Sequence, residues 1–149
     1  MRIGRKLAIT VIATAATATS LVAAAAPAQA AATPNCTTVK SAYVGNGWYL
    51  NAPAYNATSG SHFNCYLELG DRNSGVTWLQ RTIQYCYDDP EIVVDGYYGT
   101  QTRNTVRIIQ AKHGVSQTGI YGPRTRSGMY WRLYNKTLNR WSELCYSPV

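Results

Sequence analysis

Phenylalanine is nearly missing from the 149 residues: Phe63 stands alone against twelve Tyr and four Trp. A small core then has to be filled by aliphatic side chains and by tyrosines whose polar tips find water or a partner, and the same rings suit exposed surfaces that stack on sugars. Histidine is scarce too, with His62 and His113 only, and no two cysteines form a Cys-x-x-Cys pair. A zinc centre needs three or four His, Cys or carboxylate ligands at organised spacing, so no metal or other cofactor is expected. Among the seven acidic residues, Glu68 with Asp71 and Asp88 with Asp89 could mimic an acid pair. Both fall in turn-like segments without the supporting pattern of a paired-carboxylate hydrolase. Oxidised cysteines could not serve a Cys–His nucleophile. The expectation is a protein that is not an enzyme. The fourteen Lys and Arg are scattered without a basic run, which argues against nucleic acid as a partner.

No segment has the Leu and Ile density of a membrane span. The first thirty residues carry Arg2, Arg5 and Lys6, an Ala-rich apolar stretch from about Leu7 to Ala26, and Ala28-Gln29-Ala30. That order reads as a secretory signal peptide over residues 1–30 with a small-residue cleavage site, leaving an exported chain without membrane attachment. With Arg2, Arg5 and Lys6 set aside, eleven basic residues face seven acidic ones, a net charge of +4 that favours anionic polymers. Cys36, Cys65, Cys86 and Cys145 all follow the signal, and an oxidising compartment makes two disulfides the expectation. Four cysteines allow three connectivities, and the sequence does not choose among them. Cys36 with Cys65 and Cys86 with Cys145 is preferred, because this pairing would staple each flank to itself or to the helices.

Residues 31–73 are rich in Gly, Asn, Ser, Thr, Pro and Tyr, with short alternating stretches at Thr38–Val44 and Phe63–Leu69; they read as an irregular, β-like extension. From Asn73 the apolar period becomes helical. Val76, Leu79, Ile83 and Cys86 define a first helix over about 75–86, stopped by Asp88-Asp89-Pro90. A second helix is expected from Thr100 to His113, ended by Gly114. A third starts at Pro123, with Met129 and Leu133 on its apolar face and Tyr130 and Tyr134 beside them, and ends near Tyr134. Residues 74–134 thus read as one domain, and 135–149 as a tail.

The turns that precede the second and third helices are the same turn. Gly96-Tyr97-Tyr98-Gly99-Thr100-Gln101-Thr102-Arg103 aligns with Gly119-Ile120-Tyr121-Gly122-Pro123-Arg124-Thr125-Arg126 at an offset of 23 residues, with five identities in eight. Pro123 suits the first helical position, which makes Gly122, and by analogy Gly99, the helix cap. Gly96 and Gly119 supply tight turns, and Tyr98 and Tyr121 are expected in the core with their hydroxyls at the surface. Thr102 and Thr125 fall in first helical turns whose N–H groups lack intrahelical partners, beside Arg103 and Arg126; such helix starts favour anions.

Val76, Leu79 and Gln80, then Asp95, Gly96, Tyr98, Gly99 and Thr102, then Val106, Ile109 and Gln110, then Gly119, Tyr121, Gly122, Pro123 and Thr125 together resemble the peptidoglycan-binding domain of the three-helix kind. Thr118 departs from it, standing where the family has a second Asp. The resemblance implies a mainly α fold, a three-helix bundle of the peptidoglycan-binding type with disulfide-tethered flanks. It also implies non-catalytic attachment to peptidoglycan, through its stem peptide or its glycan, by a secreted, wall-associated monomer. The residues it puts forward for contact are Asp95, Tyr97, Thr102, Arg103, Thr125 and Arg126. The rival function is a secreted, disulfide-stabilised interaction or inhibitor protein on the same scaffold, using the flanking aromatics Trp48, Tyr49, Tyr55, Trp131, Tyr134 and Trp141.

Overall fold

A computed structural model describes residues 33–58 and 60–147. Residues 1–30, expected from the sequence to be a signal peptide, lie outside these residues. Within them the chain runs β1 (Thr38–Gly45), β2 (Trp48–Ala54), α1 (Ser74–Cys86), α2 (Thr100–Lys112), α3 (Pro123–Gly128), β3 (Trp131–Asn135) and β4 (Arg140–Tyr146). The strands form one antiparallel sheet in the order β1-β2-β3-β4. The expectation of a mainly α three-helix bundle is therefore wrong: the fold is mixed, with three short helices and a four-stranded sheet assembled from both ends of the chain.

The error has a local cause at the third helix, which stops after six residues at Gly128 instead of continuing to Tyr134. Met129 is already extended, with φ −83° and ψ 163°. Apolar residues at 129, 131 and 133 satisfy a two-residue period as well as 129 and 133 satisfy a helical one. Trp131 settles the choice by burying completely, with its indole N–H donating to the Arg126 carbonyl at 2.9 Å. The strand that results pairs Leu133 with Leu50 and Tyr134 with Tyr49 of β2.

Helix α1 forms where expected. The Asn73 side chain accepts from the Val76 N–H at 3.2 Å, and Val76, Leu79 and Ile83 are wholly buried along one stripe. Each such side chain contributes about 2 kcal/mol by leaving water. The helix ends at Cys86, followed by Tyr87 and by Asp88 at φ +50°. Helix α2 buries Val106 and Ile109 and ends before Gly114, whose φ of +66° suits glycine. Cys36 is bonded to Cys65, and Cys86 to Cys145. The second disulfide ties the end of α1 to β4, joining the helical region to the sheet.

Residues 67–73 are the spine on which both glycine turns rest. Leu67 and Tyr121 exchange two backbone hydrogen bonds of 2.9 Å. Tyr98 N–H donates to the Asp71 carbonyl at 2.8 Å, Gly70 N–H to the Tyr98 carbonyl at 3.0 Å, and Asn73 N–H to the Gly96 carbonyl at 3.2 Å. One strap thus sets the position of α2 and α3 relative to α1.

Candidate ligand-binding groove

Each copy of the turn is closed from inside by a buried glutamine. In the first, Gln80 Oε1 accepts the Gly96 N–H at 2.9 Å, while Nε2 lies 2.9 Å from Asp95 Oδ1, 2.9 Å from the Tyr97 carbonyl and 3.1 Å from Thr102 Oγ1. In the second, Gln110 Oε1 accepts the Gly119 N–H at 2.9 Å, while Nε2 faces Thr118 Oγ1 at 3.4 Å, the Ile120 carbonyl at 2.9 Å and Thr125 Oγ1 at 2.9 Å. The sequence repeat is thus a repeat of one hydrogen-bond pattern, with a glutamine from the preceding helix at its centre. Gly96 and Gly119 sit at φ +73° and +71°, which glycine alone adopts without strain. A methyl group on Gly119 would stand 2.7 Å from Arg103 Cγ.

The tyrosines also belong to the interior. Tyr98 and Tyr121 are buried, and their hydroxyls do not reach the surface as the sequence suggested. Tyr98 donates to the Gly119 carbonyl at 3.0 Å, so the first turn holds the second. The Tyr121 hydroxyl is buried without a partner among the described residues, with its ring edge-on to Trp131. Burial pushes both phenols well above the usual tyrosine range.

The six residues put forward from the sequence do not converge on one place. Asp95, Tyr97 and Thr102 line a shallow groove of about 190 Å³ over the first turn and the start of α2, with Gly99 and Gln101. Thr102 lies on its floor, buried, with its hydroxyl engaged by Gln80. Thr125 is the corresponding residue on Gln110, also buried. Arg103 runs beneath Gly119, and its Nε is buried without a partner among the described residues. Arg126 donates to the Phe63 carbonyl at 2.7 Å and stacks over that ring at 5.4 Å, away from the groove.

Arg72, which sequence reasoning passed over, stands next to the groove's lining: its guanidinium lies 3.9 Å from the centre of the Tyr97 ring. Its place follows from the backbone bridge between Arg72 and Tyr97, 25 residues apart, and no local pattern announces such a bridge. Asp95 is exposed, and its Oδ1 takes the Tyr97 N–H at 2.8 Å as well as the Gln80 amide. Oδ2 takes no hydrogen bond from the described residues. The Tyr97 N–H first, then the Gln80 amide, and to a lesser degree the Arg72 charge hold this carboxyl below the usual aspartate range. At the groove's other side α2 begins at Gly99 with no side-chain cap, so its first N–H groups remain available. Among the described residues no cluster of three His, Cys, Asp or Glu forms that could hold a metal ion.

The doubled glycine turn, latched by two glutamines, feeds two helices from one strap. Residues 72–129 match the family model described as "Putative peptidoglycan binding domain". The chain is 35% identical over 63 residues to "Probable N-acetylmuramoyl-L-alanine amidase" of Bacillus licheniformis, a match covering 39% of this chain and 18% of that protein. It is 36% identical over 61 residues to "N-acetylmuramoyl-L-alanine amidase CwlL" of the same organism, covering 38% and 17%. The matches span less than a fifth of either relative. No solved structure matches the chain significantly.

Proposed function

We propose that the chain is a secreted, monomeric module that binds peptidoglycan without cleaving it, through the groove formed by Asp95, Tyr97 and the start of α2, with Arg72 beside it. The observation that carries this is the difference between the two turns. Thr118 performs the structural task of Asp95 in the second copy: its hydroxyl accepts the Ile120 N–H at 3.1 Å and meets the Gln110 amide. A neutral hydroxyl is enough to close the turn, so the charge and second oxygen of Asp95 are surplus to folding. They face solvent beside a guanidinium stacked on a ring and beside unpaired helix N–H groups.

That combination of one anionic and two cationic or donor elements suits a short peptide carrying both ammonium and carboxylate groups, the chemistry of a peptidoglycan stem. The family match of residues 72–129 supports the polymer, and the charge pattern favours its peptide. Secretion is supported by the basic, Ala-rich start with Ala28-Gln29-Ala30 and by two disulfides that require an oxidising compartment.

The test is co-sedimentation of the purified protein with insoluble peptidoglycan at moderate salt, with release of soluble fragments followed in the same tube. Retention without fragment release is expected, and Asp95→Asn and Arg72→Ala should each reduce retention about tenfold, the effect of one charge-assisted contact. A protein that stays in the supernatant refutes the proposal in favour of a partner protein. Released fragments would make it a hydrolase.

A further inference from the structure

The sheet carries a second feature, contributed largely by segments outside residues 72–129. Tyr43 of β1 pairs directly with Tyr49 of β2, Tyr49 with Tyr134 of β3, and Tyr134 with Trp141 of β4. Residues directly opposite across a ladder share a face, so one ring from every strand stands in a single row across the sheet. Tyr43 and Tyr49 are 5.3 Å apart and Tyr134 and Trp141 4.9 Å. Trp78 of α1 stands beside the row, its ring 5.6 Å from that of Trp141. Strand spacing makes the four-strand part roughly 15 Å long.

We infer that this row is a glycan-binding platform, on which the sugar backbone of peptidoglycan lies across the strands while the groove at Asp95 takes a stem peptide. The inference rests on the peptidoglycan reading above and adds the part of the polymer that this face recognises. Tyrosine and tryptophan offer a flat apolar face to the C–H side of a pyranose and a polar tip to its hydroxyls. Two rings of the row already hold cations: Lys136 Nζ lies 3.9 Å over Tyr49, and the Arg132 guanidinium is 5.7 Å from Trp141 and 3.9 Å over Tyr85. Trp78, Arg81, Tyr85, Arg132 and Trp141 line a groove of about 380 Å³ at the row's end. The four strands carry Lys40, Arg132 and Arg140 against Glu143 alone, which suits a polymer bearing carboxylates.

The indoles separate by task. Trp131 and Trp78 donate to the carbonyls of Arg126 and Asn51 at 2.9 and 2.6 Å. The Trp141 indole N–H has no acceptor among the described residues and is half-buried, at the junction of the row and the 380 Å³ groove. It is a donor placed for a ligand hydroxyl or acetamide oxygen.

The experiment titrates the intact protein with glycan strands stripped of their stem peptides, following tryptophan fluorescence and calorimetric binding. Saturable binding with a change in tryptophan emission is expected. Tyr43→Ser, at an exposed edge-strand position, should weaken it about threefold, and Trp141→Leu about tenfold, the range of one or two ring contacts. Far-ultraviolet circular dichroism and a thermal melt verify each variant's fold, and Tyr43→Ser carries the test if Trp141→Leu fails to fold. No binding of peptide-free strands, or binding by both folded variants within twofold of the parent, overturns the inference. Retention on intact peptidoglycan that is sensitive to Asp95→Asn, without glycan binding, would overturn the platform and leave the groove standing. Glycan binding together with indifference of intact-wall retention to Asp95→Asn and Arg72→Ala would do the reverse.

Discussion

Replacing Gln80 by Leu should cost more than any other single side-chain change in the first turn, because one amide serves four groups there. Gln80 is 1% exposed, and its loss would strand the buried Gly96 N–H, which has no other acceptor among the described residues. It would also remove the donor to the buried Thr102 hydroxyl. The Tyr97 carbonyl is less affected, since the Gly99 N–H also reaches it, at 2.8 Å. An unsatisfied buried N–H costs about 1–3 kcal/mol and a lost hydroxyl bond about 1 kcal/mol, so Gln80→Leu should lower stability by about 3 kcal/mol. For a domain of this size that is a fall in Tm of roughly 12 °C. Urea unfolding with the disulfides intact measures it, and Gln110→Leu should match it through Gly119 and Thr125.

Gln80→Glu tests the sense of the hydrogen bonds. A carboxyl can still accept from Gly96, but only its protonated form can donate toward Asp95, the Tyr97 carbonyl or Thr102. The new group's pKa is therefore raised on folding above its unfolded value of about 4.3. The variant should come closest to the parent below that value and lose stability as pH rises through the raised folded value. A loss under about 1 kcal/mol for Gln80→Leu, or a pH-independent deficit for Gln80→Glu between about pH 4 and 7, would refute the latch.

Other outcomes follow from neighbouring details. Gly119→Ala should destabilise by about 1–2 kcal/mol in urea, because its φ is +71° and the methyl meets Arg103, whereas Gly122→Ser, at φ −158° with nothing within 4 Å of the new Cβ, should be neutral or gain about 0.5 kcal/mol from a helix cap. Breaking the Cys86–Cys145 bond with a Ser pair releases a connection of 59 residues and should cost about 4 kcal/mol by chain entropy, read as a shift in the urea midpoint. Tyr87 accepts the Tyr130 N–H at 2.7 Å, and its hydroxyl shares a 2.9 Å hydrogen bond with His113 Nε2; burial raises this phenol to about 12, which ultraviolet titration should show. Burial first, and then the Lys112 charge, lower His113. Its contribution to stability is present above the unfolded histidine value of about 6.5 and is lost as pH falls through the depressed folded value, so urea midpoints should decline on that side and His113→Gln should flatten the decline.

The parts of this fold that the sequence announces are those determined within a few residues. Asn73 capping α1, Gly99 and Gly122 opening α2 and α3, and the positive-φ Gly96, Gly114 and Gly119 are each set by neighbours along the chain. The sheet is set otherwise. Its central ladder joins Trp48 to Asn135, 87 residues apart, and strands as short as Trp131–Asn135 carry too few residues to distinguish a two-residue period from a helical one. The same holds at the site: Asp95 and Tyr97 stand in a motif, while Arg72 arrives by a bridge between distant segments.

Duplication of the turn within one chain also separates folding from recognition without an alignment. What both copies share has a task inside the protein: the glutamine, the positive-φ glycine and the threonine under the helix start are tied by hydrogen bonds, and the tyrosine ring is buried in the core. Whatever differs is free of that duty. Asp95 and Tyr97 give the first turn a charge and a ring where Thr118 and Ile120 give the second neither, and Arg126 is spent on Phe63 while Arg72 stays next to the first groove's lining. Installing the charge in the second copy is the corresponding test. Thr118→Asp should fold, because its carboxylate can accept the Ile120 N–H and the Gln110 amide as Asp95 accepts theirs, yet it should add no more than about twofold to retention on peptidoglycan, since no stacked guanidinium stands beside it. A gain of tenfold or more would mean that the carboxylate alone makes the site and that the Arg72–Tyr97 pair is only part of the turn.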